Sequence, residues 1–206
     1  KNIIVATGSE ARMLPGLQPD TEKILTNIEI LKTGSVPASL IIIGAGAVGV
    51  EFASVYKRFG SEVILIEMLP RVLPLSDEEI SRELERSLKK QGIKVLTGAR
   101  VEKLERKGDG VEVQVSQGTE QQTFQANQAL VAVGRKPNTE GIGLENTRVE
   151  TERGYVKTNQ YMETAEPGLF AVGDIVAGTP QLAHAAFMEG IVAVGKMSGK
   201  KVPPMN

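Results

Sequence analysis

The stretch that decides the fold is Leu40-Ile-Ile-Ile-Gly-Ala-Gly-Ala-Val-Gly49. It opens with a continuous apolar run, which is typical of a strand buried on both faces of a parallel sheet. A glycine-rich turn follows, and from Val48 to Phe59 apolar residues recur at spacings of three and four. This spacing predicts a helix, which Gly60 ends. A strand, a glycine turn and a helix in this order are typical of a dinucleotide-binding unit.

The flanking segments extend this pattern to β-α-β-α-β over residues 40–97. The further predicted elements are strands at 62–67 and 93–97, a helix that Ser76-Asp77-Glu78-Glu79 caps and that runs to Gln91, an antiparallel meander over 100–126 and a buried strand at 129–133. We therefore predict an α/β fold with a doubly wound, Rossmann-like domain that carries an antiparallel meander.

Two short apolar strands lie outside this unit, and each ends at a small or acidic residue. Ile3–Ala6 is predicted to be a buried strand before Thr7-Gly8-Ser9, and Gly168–Gly173 is predicted to be another before Asp174. Ligands bind outside the carboxyl ends of parallel strands, so these exits are candidate parts of a second site. Plain buried strands with polar exits are the alternative. A glycine-rich loop then leads into an apolar helix from about Leu182 to Met197.

Each glycine of Gly44-x-Gly46-x-x-Gly49 has a separate physical task. Gly44 permits the tight turn, Gly46 lacks a Cβ so that a pyrophosphate can approach, and Gly49 lets the helix pack against the strand. The helix N-terminus then presents free N–H groups and a positive dipole end to the phosphates. The alternative is a strand–helix turn that binds no ligand.

Glu67 ends the second strand of the unit, where a carboxylate accepts hydrogen bonds from the adenosine ribose hydroxyls. A 2′-phosphate would meet a like charge there, which favours NAD over NADP. Arg71 is close in sequence but lies beyond Pro70, and a solvated strand-end glutamate is the alternative for Glu67.

Two further side chains leave alternatives open. Glu51 lies in an apolar run and needs a partner there. It is either a helix-dipole residue or a residue that faces the nicotinamide. His184, at a helix start, is more often a cap or a packed residue than a catalyst, whereas the helix end itself could stabilise an anionic ring edge.

Composition excludes several classes of function. Lys+Arg (24) and Asp+Glu (25) balance, so nothing points to nucleic acid or to an acidic membrane surface as a partner. The longest near-apolar run is too short to cross a bilayer. The chain has no cysteine and one histidine, so we expect no thiol chemistry and no metal site. The first residues contain no signal peptide, and both ends look cut, so we expect an internal segment of a longer, cytoplasmic protein.

Several motifs in one order resemble the flavoprotein disulfide reductases (the pyridine nucleotide-disulfide oxidoreductases), most closely the dihydrolipoamide dehydrogenases. The resemblance covers essentially the whole chain. The segments that carry it are Ala6–Ser9, Ile43–Phe52, Glu67 with Leu73-Pro74 and Asp77–Ile80, Val133-Gly-Arg-Lys-Pro-Asn138, Phe170–Asp174, and Leu182-Ala-His184 with Glu189-Gly190.

The resemblance implies two cofactors, NAD and FAD, and assigns residues to each. The residues implied to contact NAD are Gly44, Ala45, Gly46, Ala47, Val48, Gly49, Glu51, Glu67, Val101 and Gly134. Those implied to contact FAD are Thr7, Gly8, Ser9, Gly173, Asp174, Gln181, Leu182, Ala183 and His184, with Asp174 on the ribityl chain. It implies an NAD-binding domain at 19–148 and part of an FAD-binding domain at 1–18 and 149–206. The helix that begins near Ala183 would point its N-terminus at the flavin pyrimidine edge.

The resemblance also implies a reaction in which electrons pass from dihydrolipoamide through a protein dithiol and FAD to NAD. Such enzymes are usually homodimers that serve 2-oxoacid dehydrogenase complexes. The dithiol and the C-terminal dimerisation domain, which supplies a catalytic His–Glu pair, are not in this sequence. We therefore expect no catalytic residue here and an inactive fragment. The alternatives are another disulfide reductase of the mercuric or glutathione type, or a non-catalytic nucleotide-sensing module.

Overall fold

The fold comes from a computed structural model that describes residues 1–15 and 17–205. The strands are β1 (Ile3–Val5), β2 (Ser9–Ala11), β3 (Ile24–Leu25), β4 (Ser39–Ile43), β5 (Glu62–Ile66), β6 (Lys94–Leu96), β7 (Ala99–Lys107), β8 (Gly110–Gln117), β9 (Glu120–Ala126), β10 (Gln128–Val131), β11 (Arg135–Pro137), β12 (Thr151–Glu152), β13 (Tyr155–Val156) and β14 (Leu169–Ala171). The helices are α1 (Asn27–Ile30), α2 (Ala47–Arg58), α3 (Glu78–Lys90) and α4 (Ala183–Met197), and short 3₁₀ helices span Leu144–Asn146 and Gly173–Ile175.

The chain divides into two units. One consists of Lys1–Glu10 with Arg135–Asn206, and the other is Ala11–Gly134. We predicted boundaries at 18/19 and 148/149, and the observed boundaries, at 10/11 and 134/135, both come earlier in the chain. The second boundary comes early because Leu144 packs in a core with Val156 and Ala171. The segment after Gly134 therefore belongs to the first unit.

A parallel five-stranded sheet forms the centre of the Ala11–Gly134 unit, in the order β3-β10-β4-β5-β6. Leu40 and Ile42 of β4 pack in one core with residues of α2 and α3, whereas Ile41 and Ile43 pack in a second core with β7 and β8. Strand side chains alternate between faces, so a strand covered on both faces has to be apolar throughout. The predicted α/β class with a parallel sheet is confirmed, and the meander covers the face that the helices leave.

Local signals explain where the helices of this unit begin and end. The Asp77 side chain accepts from the N–H groups of Glu79 and Ile80 at the start of α3, as the acidic capping segment predicted. Helix α2 ends before Gly60, whose φ of 100° lets the chain turn back into β5.

The meander β7-β8-β9 is antiparallel, as predicted, but the alternation of buried and exposed side chains holds only in part, because Glu112 is also buried. Val111, Val113 and Val115 of β8 are buried, whereas Gln114 between two of them is exposed. The pairing of β7 with β8 shifts register between Val101 and Lys103.

In the other unit β1 pairs in parallel with β14. Phe170 and Ala171 of β14 are buried, but Ile3 and Ile4 of β1 are 64% and 37% exposed. The strand predicted at Ile3–Ala6 is therefore present at Ile3–Val5, but the prediction that it is buried is wrong. Within the described residues β14 is the only strand that pairs with β1.

Among residues 1–15 and 17–205, none of the helices has the length and apolar character that a membrane-spanning segment requires.

Candidate functional site

Gly44 forms the corner between β4 and α2. Its φ is 100°, and a Cβ built on it would lie 2.3 Å from the carbonyl oxygen of Ala132. Its N–H donates to the carbonyl of Ile66 at 2.8 Å, which ties the corner to the neighbouring strand. Only glycine fits this position, because both the backbone conformation and the approach of Ala132 exclude a side chain.

The other two glycines of the motif have opposite surroundings. A Cβ on Gly49 would lie 1.9 Å from the carbonyl oxygen of Gly44, so this residue lets α2 lie directly against the corner. A Cβ on Gly46 would meet no heavy atom within 4 Å. The Gly46 backbone is extended (φ −72°, ψ −174°), a conformation open to any residue. Packing and backbone strain therefore explain Gly44 and Gly49, but they do not explain Gly46.

The open space at Gly46 lies at the start of α2. Gly46 is the N-cap and provides no side-chain cap, and the first turn of the helix holds no acidic residue. The first N–H groups of a helix have no partner within it, and with the helix dipole they favour an anion. Ala47 is exposed and Val48 half-buried, so this helix end is accessible to a ligand.

Glu67 follows β5 directly and is only 8% exposed. Its Oε2 accepts from the N–H of Ala45 at 2.7 Å, and its Oε1 accepts from the N–H of Leu69 at 2.8 Å. The alternative of a solvated strand-end carboxylate is therefore wrong. Each carboxylate oxygen has a second lone pair, so the group retains capacity for sugar hydroxyls.

Arg71 is the one basic residue in the segment from Met68 to Leu75. Its Nη2 donates to the carbonyl of Pro74 at 3.3 Å, and its Nη1 lies 3.8 Å from a carboxylate oxygen of Glu78. Its charge is therefore already opposed by a carboxylate, and it does not pair with Glu67.

In the other unit Asp174 is held by two side chains. The Ser9 hydroxyl donates to Oδ2 of Asp174 at 2.5 Å. The Arg135 guanidinium donates from Nε to Ser9 Oγ at 2.5 Å and from Nη2 to the Ser9 carbonyl at 2.6 Å, with Nε 3.6 Å from Asp174 Oδ2. No described residue donates to Oδ1, so that oxygen remains available to a hydroxyl.

Glu189 holds the backbone beside Asp174. It lies on α4, is 1% exposed, and its Oε2 accepts from the N–H of Gly173 at 2.6 Å. Neither Glu189 nor Arg135 was among the predicted site residues. The signal for Glu189 was a carboxylate inside an apolar helical run, since a buried charge requires hydrogen-bond partners.

The sequence also matches a family model described as Pyridine nucleotide-disulphide oxidoreductase over residues 1–190. The chain belongs to this family. Its curated relatives include the dihydrolipoyl dehydrogenases of Bacillus subtilis, 43% identical, and Chlorobaculum tepidum, 44% identical. Both matches cover 100% of this chain and 44% of the relative. The chain thus spans less than half the length of these relatives.

Solved structures of similar proteins have the same fold. LpdA from Mycobacterium tuberculosis is 33% identical with a TM-score of 0.89, and the match covers 98% of this chain and 44% of that one. The HOCl-induced flavoprotein disulfide reductase RclA from Escherichia coli is 26% identical with a TM-score of 0.84, covering 98% and 46%. Proteins of this family use FAD and NAD, which confirms both cofactors at the level of the family.

The remaining predicted NAD residues lie in the Ala11–Gly134 unit. Val101 is half-buried on β7, which begins beside Glu67, because the Ala99 N–H donates to the Glu67 carbonyl at 2.9 Å. Gly134 is exposed with φ 114° and follows the segment that packs on Gly44. Glu51 is exposed and makes no ion pair within the described residues, so it does not need the partner that its apolar neighbours suggested.

The remaining predicted FAD residues lie in the other unit. The Thr7 hydroxyl donates to the Asn138 carbonyl at 2.6 Å, and the Gly8 carbonyl accepts from the Asn138 N–H at 2.9 Å. Gln181 Nε2 donates to the Asp174 carbonyl at 3.4 Å.

Helix α4 starts without a side-chain cap. Its N-cap is Leu182, and Leu182, Ala183 and His184 are all exposed. His184 is therefore neither a cap nor a packed residue. The described part of the chain contains no cluster of three or more potential metal ligands.

Proposed function

We propose that the Ala11–Gly134 unit binds NAD(H), with the pyrophosphate in front of the N-terminus of α2 and the adenosine ribose at Glu67. The observation that carries this proposal is Gly46. Its neighbours in the motif are glycines because atoms of the fold occupy the place of a Cβ, whereas at Gly46 that place is empty. A close approach by an anion is the remaining physical reason for its missing side chain.

Charge at the far end of the site favours NAD over NADP. A 2′-phosphate beside the Glu67 carboxylate would add one negative charge to another in a largely buried place. Arg71 does not offset this, since Glu78 and the Pro74 carbonyl already engage its guanidinium. A family member that prefers NADP would need an unengaged basic side chain at this position.

The second part of the proposal concerns FAD. The oxygen of Asp174 that Ser9 leaves free is suited to accept a ribityl hydroxyl, and the uncapped start of α4 is suited to an electron-rich ring edge. Thr7, Gly8 and the segment Gln181–His184 complete this proposed site. On this assignment the unit of Lys1–Glu10 and Arg135–Asn206 is part of an FAD-binding domain, and Ala11–Gly134 is the NAD-binding domain.

Taken together, the chain is proposed to be the NAD-binding central portion of a dihydrolipoyl dehydrogenase. Such an enzyme passes electrons from dihydrolipoamide through a dithiol and FAD to NAD. We propose that the full-length protein does so as a cytoplasmic homodimer that serves a 2-oxoacid dehydrogenase complex. The sequence has no cysteine, so its own residues do not supply the dithiol. This chain's contribution is to bind and orient the nicotinamide dinucleotide, and we expect no dihydrolipoamide oxidation by it alone.

Calorimetric titration with NADH and NADPH tests the proposal. Gly46→Ala places a methyl group in open space, so the thermal unfolding of the chain should be unchanged, whereas its affinity for NADH should fall about tenfold or more. Gly34→Ala is the matched control, because a Cβ on Gly34 also meets no heavy atom within 4 Å and it lies outside the motif. NADH affinity that Gly46→Ala leaves unchanged, or tighter binding of NADPH than of NADH, would contradict the proposal.

A further inference from the structure

Glu67 makes more contacts than a ribose ligand requires. Its two carboxylate oxygens accept from two backbone N–H groups of the chain itself, at 2.7 Å from Ala45 and 2.8 Å from Leu69. Ala45 is fully buried. Water therefore does not reach its N–H, and the carboxylate is the acceptor that the fold provides for it.

The Ala45 peptide unit is held on its other side as well. Its carbonyl oxygen accepts from the N–H of Leu73 at 2.8 Å. Ala45 lies between Gly44, which forms the corner, and Gly46, which opens α2. The hydrogen bonds on Ala45 therefore fix the orientation of the peptides on which the anion-binding end of α2 depends.

The carboxylate acts from a rigid position. The Glu67 N–H donates to the Leu96 carbonyl at 2.8 Å, and the Glu67 carbonyl accepts from the Ala99 N–H at 2.9 Å. The backbone of Glu67 is thus tied to β6 on one side and to the start of β7 on the other. A side chain anchored in this way can hold a turn at low entropic cost.

We propose that Glu67 is a positioning residue for the glycine turn in addition to being a ribose ligand. Its carboxylate holds Ala45, and through Ala45 the entry to α2, in the binding shape before the dinucleotide arrives. The proposal rests on the proposed function and deepens it. It also has a consequence for specificity, because a replacement of Glu67 that removes the charge also removes at least one of the two acceptors that the Ala45 and Leu69 N–H groups use.

The two roles predict different outcomes for Glu67→Gln and Glu67→Ala. If Glu67 served the ribose alone, removal of its charge would raise the affinity for NADPH. If it also positions the turn, both variants lose affinity for NADH and bind NADPH no more tightly than the unaltered chain. Glutamine retains one acceptor oxygen but faces the other N–H with a donor, so its effect should lie between those of glutamate and alanine.

Amide hydrogen exchange in the absence of dinucleotide tests the positioning role directly. The Ala45 amide should exchange about tenfold faster in Glu67→Ala, because its protection depends on the lost acceptor. Glu62→Gln is the matched control, since Glu62 begins β5, the strand that Glu67 directly follows, but is exposed. Unchanged protection of the Ile41 and Ile42 amides verifies that each variant is folded, and Glu67→Gln decides the question if the alanine variant does not fold.

Ala45 exchange that is unchanged in both Glu67 variants would overturn the proposal. So would a Glu67→Gln chain that binds NADPH more tightly than the unaltered chain does. Absence of NADH binding to the unaltered chain would instead overturn the proposed function, while the exchange rates of Ala45 would still decide whether Glu67 holds the turn.

Discussion

Helices α2 and α4 both start without a side-chain cap, but they bury their surfaces very differently. Helix α2 lies so close to its own turn that Gly49 has no room for a methyl group. Helix α4 buries a carboxylate, Glu189, and leaves Phe187 74% and Ile191 52% exposed. The comparison shows two different contacts near an uncapped helix start. In α2 the first turn packs on the backbone corner at Gly44, and in α4 the second turn is tied to Gly173 by the Glu189 carboxylate.

The largest expected difference in the free energy of unfolding is between two glycine-to-alanine variants, one in each helix. Gly49→Ala should destabilise the chain by about 3 kcal/mol, because the new Cβ overlaps a backbone oxygen that cannot rotate away. Gly190→Ala in α4 meets no atom within 4 Å and should stabilise the chain by about 0.5 kcal/mol, as alanine does in a helix. Urea unfolding followed by circular dichroism measures both values. Equal stabilities of the two variants would remove the contrast between the helices.

A smaller difference in stability is expected between alanine variants of Glu189 in α4 and Glu51 in α2. Glu189→Ala leaves the Gly173 N–H without its acceptor and should cost about 2 kcal/mol. Glu51→Ala changes an exposed side chain of α2 and should stay within about 0.5 kcal/mol of the unaltered chain. Thermal unfolding compares them, and Glu189→Gln, which keeps an acceptor oxygen, should recover part of the loss. If Glu189→Ala were as stable as Glu51→Ala, the hydrogen bond would not be what holds α4.

The smallest expected effect is on the stability of the fold at acidic pH, and it depends on Asp20 in the Ala11–Gly134 unit. Burial raises the pKa of Asp20, but the N–H groups of Ile24, Lys23 and Glu22 and the charge of Arg106 outweigh burial and lower the pKa below its ordinary value of 3.8. A lowered carboxyl pKa stabilises the fold above the ordinary value, and this contribution is lost as the pH falls through the folded-state pKa.

Asp20→Asn should therefore unfold slightly more easily than the unaltered chain at pH 7. The difference should shrink below pH 3.8, between the ordinary and the lowered pKa of Asp20. Urea midpoints measured from pH 7 to pH 3 provide the check. A stability difference that does not depend on pH would rule out the Asp20 charge as its cause.

The sequence was sufficient for features that depend on a residue's own backbone and its near neighbours. The bounds of β4, α2 and β5 could be predicted because apolar spacing and glycine act locally. The Asp77 cap could be found for the same reason. A capping signal is also present at Thr26 and Glu29, which together cap the short helix α1, although no helix was predicted there.

Features that depend on distant parts of the chain could not be predicted. The partners of Glu67 belong to residues that only the folded sheet brings to it. Arg135 reaches Ser9 across a long stretch of sequence. The exposure of Ile3 depends on what pairs with β1, and an apolar run carries no information on its neighbours.

The apolar sequence of β4 has a further consequence for the register in which this strand pairs with its neighbours. Because all of Leu40 to Ile43 is buried, sliding the strand by one position would exchange one aliphatic side chain for another and would be opposed only weakly by solvation. The register of β4 must then be set by contacts at the two ends of the strand. Asn127 Oδ1 accepts from the Ser39 N–H at 2.9 Å at one end, and Gly44 fits under Ala132 at the other. The corner that we propose as part of the phosphate site would thus also oppose mispairing of β4 as the chain folds.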